Sequence, residues 1–160
     1  MRSSRIGALA LCLALLGGGC AANRVVGPGY AETKPTETRA DAALVYVLRY
    51  KAEPALRDAT ILVDDVEVAD LSQGKFTWFY VPPGHHVIHA RWGLVTEQQP
   101  SHATLDLEAG KTYYLELIGV SRETGHGIAR GSWLRLLPNF DAETKLTRTR
   151  CVFQKPRPTS

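Results

Sequence analysis

The chain has no apolar run long enough to cross a bilayer as a helix: its longest, residues 6–16, falls well short of the roughly 20 residues such a span requires. Cysteine is scarce, with only Cys12, Cys20 and Cys151 in 160 residues. An excess of charge of one sign is missing too: 19 Lys and Arg against 16 Asp and Glu leave +3, with the cations scattered among carboxylates. No basic stripe of the kind that nucleic acid requires is present, so nucleic acid is excluded as a partner. Also absent are a Gly-x-Ser-x-Gly elbow, a phosphate-cradling glycine loop and a Cys-His pairing, so the sequence predicts no catalytic residue, no enzyme and no cofactor.

What is present begins at the N-terminus. Met1-Arg2-Ser3-Ser4-Arg5 is a short basic segment, followed by the small and apolar run of residues 6–16, which is the pattern of a secretory signal peptide over residues 1–19. Leu15-Leu16-Gly17-Gly18-Gly19-Cys20 resembles the lipobox of bacterial lipoproteins, with Gly17 where that family usually carries an aliphatic residue. The resemblance implies that Cys20 is acylated and anchors the chain to membrane; ordinary cleavage near Ala21 or Ala22 and release to the periplasm is the other reading. Ala21 is not the Asp of inner-membrane retention, which by the same resemblance favours the periplasmic face of an outer membrane. Cys12 leaves with the signal and Cys20 is consumed by lipid, so Cys151 has no internal disulfide partner.

Residues 20–42, rich in Thr, Glu, Ala, Gly and Pro and without periodicity, read as a lipidated cysteine and flexible tether. Residues 153–160 read as a disordered tail. Between them, residues 43–152 form one domain of short strands. Residues 44–50 begin it, and residues 60–63 and 66–69 flank Asp64-Asp65 as a hairpin. Residues 75–81 lead through Pro82-Pro83-Gly84 into residues 86–92; Pro83 and Gly84 suit the two central positions of a type II turn and predict a second hairpin. Residues 103–108 alternate cleanly, with Ala103, Leu105 and Leu107 on one face, and strands over 112–118 and 132–137 follow. Seven or eight such strands indicate an all-β antiparallel sandwich, with a short helix over residues 141–150.

Four of these segments carry a resemblance. The strand over 43–50, the Val63-Asp64-Asp65 hairpin, the Pro83-Gly84-His85-His86 turn and the Ala109-Gly110-Lys111-Thr112-Tyr113 turn look like the signature of the bacterial lipoproteins grouped as domain of unknown function 2846, itself similar to PEGA-type sandwiches. The motifs suggest a match over roughly residues 42 to 152, including Leu136-Leu137-Pro138. Asp65 stands where the pattern expects Gly. The resemblance implies a β-sandwich in the cell envelope and no established activity.

His85, His86 and His89 invite a metal reading, but a strand alternates its faces. His85 and His89 then share one face roughly 13 Å apart, and His86 points the other way, too dispersed for one zinc ion. No metal site is expected. Asp64-Asp65 reads as a solvated turn. The loop over residues 119–131, with Arg122, His126 and Arg130, is the most plausible functional surface, or else a plain connection. Phe76, Trp78 and Tyr80 alternate on one strand face, with Trp92 and Trp133 elsewhere; exposed together they would bind a glycan, buried they are core. The expected function is a non-catalytic interaction or structural module at the membrane, with an envelope protein or a glycan such as peptidoglycan as partner.

Overall fold

The computed structural model describes residues 27–37, 39–93 and 100–155. The signal segment, Cys20 and residues 156–160 lie outside them. The elements are α1 (Tyr30–Thr33), β1 (Ala43–Arg49), β2 (Ala59–Val63), β3 (Val66–Leu71), β4 (Lys75–Val81), β5 (Gly84–Trp92), β6 (Ser101–Leu107), β7 (Thr112–Thr124), β8 (Gly127–Leu136), α2 (Asn139–Leu146) and β9 (Arg150–Cys151). They form an all-β sandwich of a five-stranded sheet, β8-β7-β1-β4-β9, and a four-stranded sheet, β3-β2-β5-β6.

Alternation puts Val45 and Val47 of β1, Phe79 and Val81 of β4, and Leu115 and Leu117 of β7 towards the second sheet. There they meet Ile61, Leu71, Ile88, Ala90 and Trp92. The opposite face of the five-stranded sheet is apolar as well: Tyr46, Leu48, Phe76 and Tyr114 pack under Tyr30, Ala142 and Leu146 of the helices, with Cys151 beside them. Strand β1, buried on both faces, therefore reads as a nearly continuous apolar run, as a doubly covered strand should.

One expected hairpin and one expected turn are crossings between the sheets. Pro82-Pro83-Gly84 joins β4 to β5, and Ala109-Gly110-Lys111 joins β6 to β7; in both cases the two strands lie in different sheets. Gly84, at φ +133, turns the chain across the sandwich instead of closing a ladder, so the type II hairpin is corrected to an inter-sheet arch. The Asp64-Asp65 hairpin does form. Its two residues have φ of +46 and +67, the double left-handed geometry of a type I′ turn. Asp64 Oδ1 accepts the Val87 N–H of β5 at 2.9 Å, a bond across the sheet that steadies a turn in which neither residue is glycine.

Part of the stretch read as a tether is packed on the body. Residues 27–37 and 39–42 are laid along the five-stranded sheet: Pro28 O accepts the Cys151 N–H at 2.9 Å, Tyr30 is 8% exposed, and Tyr80 Oη donates to Glu37 O. One buried tyrosine, met in a Gly- and Pro-rich stretch, gives no periodic signal. Residues 153–155, read as the start of the tail, are placed as well. Lys155 N–H donates to Val68 O at 2.7 Å, and its ammonium pairs with Glu67 at 3.1 Å and Asp70 at 2.8 Å, tying this segment to the other sheet. The helix is Asn139–Leu146 and stops short of Arg150, which enters β9.

Two features hold residues 50–58 across one end of the sandwich. Arg49, fully buried, donates to four backbone carbonyls: Arg57 O at 2.5 Å, Leu71 O at 2.8 Å, Ala52 O at 3.0 Å and Pro54 O at 2.5 Å. Its guanidinium also lies 4.7 Å from the Trp92 ring centroid. Burial pulls its pKa down to about 10, against the pull of Asp58 and Glu53, so it remains a cation at neutral pH. Gly119 lies against the same loop, and its carbonyl accepts the Glu53 N–H at 2.9 Å.

Glu116 of β7 is buried under α2 and is bound by Lys145 at 2.5 Å and Arg135 at 2.6 Å. Glu116→Gln keeps the shape but strips the anion from both cations. It should cost about 2 kcal/mol, with hydrogen exchange rising first in α2; unchanged exchange there would show that the triad does not hold the helix down. The tyrosines beside it give a pH dependence. Burial pushes the Tyr114 hydroxyl up to about 12 and Tyr46 higher still. A raised tyrosine supports the fold fully below its ordinary value of about 10 and withdraws that support as pH rises. The urea midpoint should therefore fall between about pH 10 and pH 12, and Tyr46→Phe should blunt the fall.

Candidate functional site

The stretch read as a loop over residues 119–131 is a two-stranded ribbon. Strand β1 pairs with β7 only as far as Glu116, so the rest of β7 has β8 as its one strand partner among the described residues, in a register running from Leu115↔Leu136 to Thr124↔Gly127. The two-residue turn Gly125-His126 closes it, with Gly127 at φ +134 and Thr124 Oγ1 donating to Gly127 O at 2.8 Å. Residues 120–129 are exposed on both faces. A ribbon wet on both sides has no apolar alternation, which is why its glycines suggested a loop.

The ribbon brings four of the expected surface residues onto one element. Arg122 stands across from Ala129, His126 is in the turn, Arg130 is across from Ser121, and Trp133 is across from Ile118 nearer the body. Trp133 is 44% exposed, and Val120 and Ile128 present apolar side chains beside the cations. Because paired residues share a face, Arg122 and Trp133 lie on one side of the ribbon and Arg130 on the other.

The remaining aromatics are elsewhere. Trp78 and Tyr80 lie on the outer face of β4, half-buried, their rings edge to face at 6.0 Å, with the Arg39 guanidinium 5.2 Å from the Tyr80 ring. Trp92 is in the inter-sheet core, 5% exposed, and its indole N–H donates to Ser132 Oγ at 3.0 Å. Trp78 and Tyr80, Trp92, and Trp133 thus occupy three separate places and do not form one stacking platform.

The pleat divides the histidines as expected. His85 bonds Asp106 at 2.9 Å on the outer face of the second sheet. His86 turns inward between Asp64, at 2.6 Å, and Pro82 O, at 2.9 Å, beside an apolar groove of about 270 Å³ lined by Val63, Phe79 and Val81. The Asp64 carboxyl is held below the usual carboxylate range: burial opposes this, but the Val87 N–H and His86 outweigh it. His89 faces a partner that the sequence did not single out: His102, directly across in β6, with ring centroids 6.0 Å apart. Cross-strand register is not readable when the connecting loop length does not fix it. Among the described residues, no three His, Cys, Asp or Glu side chains converge as metal ligands. Cys151 is buried, and burial raises its thiol pKa.

Two packed sheets with helices on one outer face, an arch at each sheet crossing and a projecting ribbon define the class as a β-sandwich module. The family model described as protein of unknown function (DUF2846) matches residues 39–128, more than half of the chain, and the chain belongs to that family. The match runs from just before β1 to just past the ribbon turn and stops short of Leu136-Leu137-Pro138, α2 and β9. No curated protein and no solved structure matches the chain.

Proposed function

We propose that the chain is a lipid-anchored protein of the cell envelope, held to its membrane through Cys20, whose sandwich serves as a non-catalytic interaction or structural module. The observation that carries this reading is the β7–β8 ribbon. Residues 120–129 add nothing to either core and are exposed on both faces, so their use is contact with something outside the molecule. The export-like segment and Cys20 supply the location: acyl chains at about 0.8 kcal/mol per buried methylene make a durable anchor.

The mature chain extracted from membranes should have a mass that includes acyl groups on Cys20; an unmodified N-terminus at Ala21 or beyond would remove the anchor. A photocrosslinking amino acid at position 126, in whole cells, should capture an envelope component that the same probe at Thr104 does not. Equal capture at the two positions would count against the ribbon as the contact element.

A further inference from the structure

The end of the sandwich at which β1 finishes and β4 begins gathers three things. The first is the entry of the chain: Gly27 sits against Arg150 and Cys151, which pair with Lys75 and Phe76 at the start of β4. The second is the ribbon, which leaves the body at this end, because β7 runs parallel to β1 and continues past it. From Val120 to the turn it extends about 16 Å at the usual rise per residue. The third is charge. Lys51, Arg57, Lys75, Arg148 and Arg150 lie at this end and Arg122 and Arg130 on the ribbon, against Glu32, Glu53, Asp58 and Glu123. The opposite end has the reverse balance: Glu37, Asp41, Asp64, Asp65, Asp106 and Glu108 against Lys34, Arg39 and Lys111.

We infer that the basic end and its ribbon dock on an anionic lipid surface, so that the domain lies against the membrane with its acidic end outward. The inference rests on the anchoring proposed above. With residues 27–37 packed on the sheet, only seven peptide steps separate Cys20 from Gly27, a reach of roughly 25 Å at full stretch. That is comparable to the ribbon's own projection plus the sandwich edge, so the leash keeps the ribbon within touching distance of the surface. Charge of the right sign is at that end, and Leu56, 91% exposed in the loop beside the ribbon base, and Ile128, 55% exposed, supply apolar groups to enter the headgroup layer.

The test uses the full processed chain and vesicles of phosphatidylcholine, alone or mixed with phosphatidylglycerol. A fluorescent amino acid is placed at position 126 or, at the opposite end, at Ala109. On anionic vesicles the probe at 126 should shift to the blue and be quenched by bromine-bearing lipid, while the probe at 109 stays in water. Arg122→Glu, a change of two charges on an exposed strand, should weaken docking by more than about tenfold without lowering the melting temperature. An acylated chain that floats with vesicles while position 126 stays in water keeps the anchor and overturns the docking face. A chain without acyl groups that still floats with anionic vesicles through position 126 removes the anchor and keeps the docking face. A chain that is neither acylated nor floats removes both.

Discussion

Arg49→Leu should lower the stability of the domain by about 3–5 kcal/mol, enough to bring the urea midpoint down sharply or to leave the purified chain partly unfolded. The leucine fills much of the same space, so lost packing is the smaller part. The larger part is four backbone carbonyls, of Ala52, Pro54, Arg57 and Leu71, that lose a charged donor together in a place water reaches poorly. Trp92 also loses the cation over its ring. Arg49→Lys keeps the charge but offers a compact ammonium in place of a planar fork, and should recover only part of the loss. Equal midpoints for Arg49→Leu and the parent would mean that residues 50–58 are held by other contacts.

Gly119→Ala should destabilise by about 3 kcal/mol, above the usual cost of one added methyl in a core. The position is not one of unusual backbone angle; it is one of missing space. A Cβ there would stand 1.9 Å from the Glu53 carbonyl oxygen and 3.0 Å from its carbon, which are backbone atoms and cannot rotate away. The loop must move, and the Glu53 N–H bond to Gly119 O goes with it. Because both substitutions release residues 50–58, their effects should not add: the double variant should cost clearly less than the sum of the two. Strict additivity in the urea midpoints would show that Arg49 and Gly119 act on separate parts of the structure.

Strand positions were legible because period two survives wherever one face meets a core, as in residues 103–108, or because double burial leaves a solid apolar run, as in β1. Sheet membership was not. Pro82-Pro83-Gly84 and Ala109-Gly110-Lys111 announce that the chain reverses, and the same residues serve a hairpin or a crossing between layers, since turn chemistry acts over four residues and layer choice over the whole core. Arg49 looked like the polar end of a strand, for nothing local reveals carbonyls brought from residues 52 to 71. The candidate surface was legible in its residues and not in its form: Arg122, His126, Arg130 and Trp133 fall on one ribbon, whereas Trp92, grouped with them by type, is core.

The parallel pairing of β1 with β7 has a consequence in time. Leu44 meets Thr112, and Lys75 of β4 meets Arg150 of β9, so the two strands at the heart of the larger sheet wait for partners some seventy positions downstream. Non-local pairing of this kind slows folding, because a long loop must close before any contact rewards it. A chain emerging from a ribosome N-terminus first therefore has β1 in hand early and cannot seal it until β7 has emerged. Throughout that interval the most apolar strand of the protein is an open template. Chaperone binding to residues 43–49 during delivery is the expected result, and the interval ends when residues 112–116 of β7 arrive.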